Sequence, residues 1–138
     1  RGMLATILWR QAGAPETRGT TPFQDVAPGA YYAEAVAWGV ERGILQGYDN
    51  GCFGPDDPIT REQLAALLYR FARVQGLDAA AVGDLSVFAD QPSEWAAEAV
   101  RWAVGAKILS GRDGGVLDPR GRASRAETAA MLTRFLQK

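Results

Sequence analysis

The chain has 138 residues, 47% of them apolar, and a formal net charge of −1. That is long enough for a real hydrophobic core and too apolar for a disordered segment, and so even a charge balance leaves no electrostatic footprint for nucleic acid or an acidic membrane. With no histidine and one cysteine, Cys52, the chain lacks the commonest general base and any internal disulfide or Cys/His metal site; no apolar run approaches the roughly 20 residues of a membrane-spanning helix.

The predicted elements follow in chain order. RGMLATILWR at 1–10 places Leu4, Ile7 and Leu8 on one helical face, and it lacks the long apolar stretch expected of a signal peptide. QAGAPETRGTTP is a linker by composition and leads into Phe23-Gln24-Asp25. A helix is expected over Ala30–Arg42, with Val36 and Val40 four apart, Tyr32 and Ala35 beside them, and Glu34 suiting the dipole of the first turn. Gly43 is a C-cap candidate. The loop GYDNGCFGPDDP then carries turn residues that tolerate positive φ, with room for a very short strand on either side. Thr60 and Gln63 fit a capping box at the start of a second helix, whose buried stripe is Leu64, Leu67, Leu68 and Phe71.

Gly76 and Gly83 open the second linker, which ends at Phe88-Ala89-Asp90. A helix over Glu94–Ala106 repeats the stripe with Val100 and Val104 and the acidic first turn with Glu98. Lys107 stands where Gly43 stood, so the stop is less defined here. GRDGGVLDPRG forms the second loop. Ser124 and Glu127 fit the last capping box, followed by Met131, Leu132 and Phe135, with Thr128 in place of Leu64.

These elements repeat. Residues 31–71 align with 95–135 at an offset of 64 without a gap, and 1–10 align with 61–70 as part of a third copy. Features shared between copies mark the design of the unit. The expected architecture is all-α, with about five main helices: two helical hairpins and an orphan first helix. Arg61 and Arg125 fall at the first helical position, and Arg1 aligns with them. A cation there costs roughly 0.3–1 kcal/mol against the helix dipole, whereas an arginine beside free helix N–H groups makes a receptor for a carboxylate; pairing with a nearby acid is the alternative. Trp38 and Trp102 align and could stack on sugar rings or serve as core, and Tyr31 and Trp95 share that choice. Asp25 and Asp90 could take sugar hydroxyls or act as turn residues. Gly47 and Gly111 could admit a ligand to the backbone or simply form a turn. Loop 49–57 lacks the ligand pattern of an EF-hand, so no metal is expected. Cys52 aligns with Val116 and reads as a small packed residue. No carboxylate pair recurs in a cleft-like context, so no glycosidase is expected.

Phe-x-Asp, the aromatic helix, Gly47-Tyr48-x-x-Gly51-x-Phe53-Gly54-Pro55 and Ile59-Thr60-Arg61-Glu62 come in the order and spacing of a surface-layer homology (SLH) repeat, which the chain resembles throughout. The resemblance divides it into the C-terminal half of a repeat at 1–14, a linker at 15–22, a repeat at 23–76, a linker at 77–86 and a repeat at 87–138. It implies an all-α, pseudo-threefold spindle with ligand grooves between neighbouring copies. It also implies a non-catalytic module, without cofactor, that anchors an exported protein to secondary cell-wall polysaccharide at a bacterial surface, often polysaccharide bearing pyruvate ketals. The family's Thr-Arg-Ala-Glu motif maps to Thr60-Arg61-Glu62-Gln63 and Ser124-Arg125-Ala126-Glu127, and to Arg1 in the partial copy. The glycan-contacting set is then Arg1, Arg61, Arg125, Asp25, Asp90, Trp38, Trp102, Gly47, Gly111 and Tyr48, with Arg61 and Arg125 partly accessible at groove mouths. The second repeat departs from the pattern: Arg112 replaces Tyr48, Leu117 replaces Phe53, Asp118 replaces Gly54, and Ala123-Ser124 replaces Ile59-Thr60, which predicts a weaker or differently selective groove. The alternative function is protein–protein assembly, because Leu4, Ile7, Leu8 and Trp9 need cover, either from the other repeats or from another chain completing the first repeat. Neither nucleic acid nor membrane insertion is expected.

Overall fold

The computed structural model describes residues 2–15, 23–27, 29–45, 51–54, 58–77, 79–112 and 115–136. It is all-helical, as expected: α1 Gly2–Gln11, α2 Ala33–Glu41, α3 Arg61–Val74, α4 Ala97–Gly105 and α5 Arg125–Leu136, with a 3₁₀ turn at Glu94–Ala96 leading into α4. Among the described residues the predicted short strands reduce to two isolated bridges, Thr60 with Arg122 and Arg112 with Val116. α2 and α4 begin three residues later than the apolar spacing suggests. Tyr32 and Ala96 occupy their N-cap positions without a side-chain cap, so nothing holds the preceding turn in α geometry and in the second copy it tightens to 3₁₀.

The chain forms two compact units, residues 1–57 and 58–138. In the first, α1 packs on α2. Leu4 and Leu8 are buried, as are Ala33, Val36, Ala37 and Trp38 of α2, so α1 is not an orphan, while Ile7 and Trp9 stay half-buried. Phe53 plugs the bottom of this core, its ring 5.4 Å from that of Phe23. In the second unit, α3 packs on α4 and on the 3₁₀ turn. Leu64, Leu67, Leu68 and Phe71 of α3 and Val100, Trp102 and Ala103 of α4 are all buried. Phe135 brings α5 into this core, its ring 5.9 Å from Phe71 and 6.0 Å from Trp102. The first helix of each copy therefore packs on the second helix of the copy before it.

Both first helices stop in the same way. Ile44 N–H reaches back to Gly39 O (2.8 Å) and Gly43 N–H to Val40 O (3.1 Å); Ile108 N–H reaches Ala103 O (2.8 Å) and Lys107 N–H reaches Val104 O (3.0 Å). This pair of bonds needs a left-handed residue after the helix. Gly43 supplies it at φ 74°, and Lys107 adopts it at φ 63° despite its side chain. The stop in the second copy is thus as definite as in the first. The residue after it, Ile44 or Ile108, is 1% or less exposed, and burying that anchor holds the lysine in place.

Candidate anion-binding pocket

The start of α3 is closed by protein. Thr60 Oγ1 accepts from Gln63 N–H (3.2 Å), and Gln63 Oε1 accepts from Thr60 N–H (2.9 Å). Arg61 N–H donates to Gly121 O (2.9 Å) and Glu62 N–H to Pro119 O (2.8 Å). The four N–H groups that a helix start leaves unpaired are all engaged, which overturns the expectation of free donors beside Arg61. The Glu62 carboxylate in turn accepts from Ser93 N–H (2.8 Å) and Ser93 Oγ–H (2.7 Å), tying the turn before α4 to α3.

Arg61 itself is 4% exposed, which corrects its expected place at a groove mouth. Its Nε donates to Leu117 O at 3.1 Å, and its terminal nitrogens donate to Ser110 O and pair with Glu127. Burial of a cation is tolerable only with such partners. Arg125 is exposed at the start of α5, where Ser124 Oγ accepts from Glu127 N–H and Glu127 Oε1 accepts from Ser124 N–H, both at 3.0 Å. Arg1, Gly47 and Tyr48 lie outside the described residues.

Asp25 and Asp90 do one job in both copies. Asp25 accepts from Phe53 N–H and Gly54 N–H, each at 2.8 Å. Asp90 accepts from Leu117 N–H (2.6 Å) and Asp118 N–H (2.9 Å). The residue before each aspartate adds a backbone bond across the same loop, Gln24 N–H to Gly51 O and Ala89 N–H to Gly115 O, both 3.0 Å. The aspartate of Phe-x-Asp is thus a clamp that presses Phe53 or Leu117, each fully buried, into the core. The Leu117 N–H, ahead of lesser contributions, holds the Asp90 carboxyl below its ordinary value although burial opposes it. Trp38 and Trp102 are 2% and 3% exposed. Trp102 packs 5.5 Å from the Tyr69 ring, so neither tryptophan presents a face to a sugar, and their groove-lining reading is corrected to core.

What the second unit does assemble is a cavity of about 170 Å³. Arg61, Arg112, Glu127 and Arg134 line it, together with Ser110, Gly111 and the apolar Ile108 and Met131. Gly111 is required there by packing: a Cβ would meet the Phe88 ring at 2.6 Å. Charges alternate from Asp118, beside the cavity, to Arg61 in its lining. Asp118 pairs with Arg112 Nε (3.1 Å), Arg112 pairs with Glu127 (2.9 Å), and Glu127 pairs with Arg61. Burial pushes the Glu127 carboxyl up, but the Ser124 N–H and the guanidiniums of Arg61 and Arg112 outweigh it and hold the group below its ordinary value. Three guanidiniums and one carboxylate thus line a small concave space, an arrangement able to accept an anion.

Of the expected glycan contacts Arg61 and Gly111 line this cavity; Glu127, expected only as a helix cap, lines it too, and Ser110, Arg112 and Arg134 were not among the expected contacts. The signal for Arg134 was available: Arg10, Arg70 and Arg134 occupy one repeat position. Arg134 now donates to Ile108 O at 3.2 Å.

A family model described as the S-layer homology domain matches residues 22–65 and 87–129. Among curated proteins the chain is similar to cell surface glycoprotein 1 of Acetivibrio thermocellus, with 29% identity over the whole chain and 6% of that protein. It is 29% identical to the surface-layer 125 kDa protein of Lysinibacillus sphaericus, over 96% of the chain and 11% of that protein. It is also 25% identical to the cellulosome-anchoring protein of Acetivibrio thermocellus, over the whole chain and 32% of that protein. The chain spans only a small part of each of these relatives.

Proposed function

The chain belongs to the S-layer homology domain family, and from that premise we propose that it anchors a larger polypeptide at a bacterial cell surface by holding an anionic wall polysaccharide in the Arg61–Arg112–Arg134 pocket. The similarity to surface-layer, cell-surface and cellulosome-anchoring proteins supports the anchoring role. The pocket supports the chemistry: three guanidiniums and one carboxylate, with apolar side chains in the lining, suit a sugar that carries a carboxylate, such as a pyruvate ketal. Glycans of this kind are recognised by charge-assisted hydrogen bonds to the acid and apolar contact with the ring. In this reading the pocket binds and the module acts as a tether.

The experiment is calorimetric titration of the whole chain with purified wall polysaccharide, before and after mild acid removal of its ketals. Saturable binding that needs the ketal, and that falls at least about tenfold in Arg112→Ala/Arg134→Ala, is the expected result. Arg61→Ala is the wrong probe by itself. Removing one partner of a buried pair costs roughly 3–5 kcal/mol, so lost binding there would report lost structure. A folded wild type that ignores the polysaccharide and instead binds a surface-layer protein would replace the glycan reading with protein assembly.

A further inference from the structure

The pocket contains two arginines with opposite circumstances. Arg61 belongs to the repeated motif, yet its side chain is 5% exposed, and Leu117 O, Ser110 O and Glu127 all draw on its guanidinium. Arg112 belongs to no motif and replaces Tyr48 of the first copy. Its side chain is 39% exposed and it lines the cavity. We infer that Arg112, and not Arg61, is the residue that selects a carboxylate-bearing sugar at this pocket. The inference rests on the glycan-binding reading above and gives that site its selector.

Three observations carry it. First, Arg112 is held ready. Asp118 takes its Nε at 3.1 Å, Glu127 takes one terminal nitrogen at 2.9 Å, and Arg122 O lies 3.3 Å from that same nitrogen. A guanidinium has five N–H donors, so donors remain for a ligand after these bonds are made. A preorganised guanidinium loses less freedom when it binds an anion than a free one does.

Second, the support is maintained at some backbone cost. Asp118 adopts φ 53°, where the first copy has Gly54 at φ 73°. Aspartate enters this region at less cost than most side chains but at more than glycine. What the side chain obtains in exchange is the Arg112 pair. The two substitutions that separate the second copy from the first here, Tyr48 to Arg112 and Gly54 to Asp118, are therefore a matched pair, with Asp118 the positioning residue.

Third, the chemistry of the position changes with the substitution. A tyrosine reads the apolar face of a sugar and is indifferent to the charge of a substituent, whereas an exposed guanidinium reads the anion itself, by two parallel bonds where geometry allows. At about 170 Å³ the cavity is well below the roughly 300–1,000 Å³ of a drug-sized ligand site. It suits one sugar unit and its acidic substituent.

The test uses the whole chain and two probes: a methyl hexoside carrying a 4,6-pyruvate ketal, and its 4,6-isopropylidene analogue, which keeps the bicyclic shape without the carboxylate. Wild type should prefer the acid by about tenfold or more, and the preference should shrink as salt is raised. Arg112→Tyr should lose most of the preference through weaker binding of the acid alone, and Arg112→Lys should retain part of it. Asp118→Gly should reduce the preference while leaving affinity for the neutral probe unchanged. An Arg112→Tyr variant that discriminates as well as wild type overturns the inference, as does a wild type that binds wall polysaccharide but fails to distinguish the probes. Failure of the glycan reading shows separately, as absence of wild-type binding to the polysaccharide.

Discussion

Single residues in the loops carry more of this structure than their exposure suggests. Asp90 holds two backbone N–H groups of the segment that inserts Leu117. Its carboxyl is depressed below an ordinary value of 3.8. A group depressed in the folded state contributes stability that is complete above its unfolded value and is lost as pH falls through the folded one. The unfolding midpoint of wild type should therefore drop as pH is lowered from roughly 5 to 2, and Asp90→Asn should begin lower and fall less steeply over that range; circular-dichroism melts at several pH values check this. Lys107 gives the opposite kind of prediction. At φ 63° it does a glycine's work, and Lys107→Gly should raise stability by about 1 kcal/mol, a gain of a few degrees in melting temperature. The fates of Arg61 and the two tryptophans were illegible in sequence for one reason. Repetition shows that a residue matters to the unit, but an arginine wanted for Glu127 and one wanted for a ligand leave the same letter in the same place.

At the level of elements, local signals were read well and distant ones were not. The capping box at Thr60–Gln63 is four consecutive residues whose bonds close on themselves, and the start of α3 follows from it. Thr60→Ala should cost about 1 kcal/mol, seen as a lower midpoint in urea unfolding with an unchanged slope. By contrast, the carbonyls of Pro119 and Gly121 that close the first turn of α3 come from the far end of the second unit, and no spacing in the sequence announces them. The same separation explains why α3 offers no free donors to an anion while its capping residues look identical to those of an open helix start. The late beginnings of α2 and α4 have a local cause that was available: neither Tyr32 nor Ala96 carries an oxygen suited to capping.

At the scale of the whole molecule, helical content and the all-α class follow from apolar periodicity, because a stripe such as Leu64, Leu67, Leu68 and Phe71 must be covered by something. Periodicity does not name the cover. Reading each copy as its own hairpin is the natural assumption, and the structure replaces it with α1 on α2 and α3 on α4. The pocket follows from this exchange, since Arg61 from one copy meets Ser110, Glu127 and Arg134 from the next only because α3 and α4 share a core. There is a practical consequence for grafting the module into fusion proteins. A cut placed at residues 77–80, where the first repeat ends by sequence, would leave α3 with its leucines bared and the recipient fragment without Arg61. The transferable cassette is offset by half a period from the written repeat, and its seam lies just before Pro58.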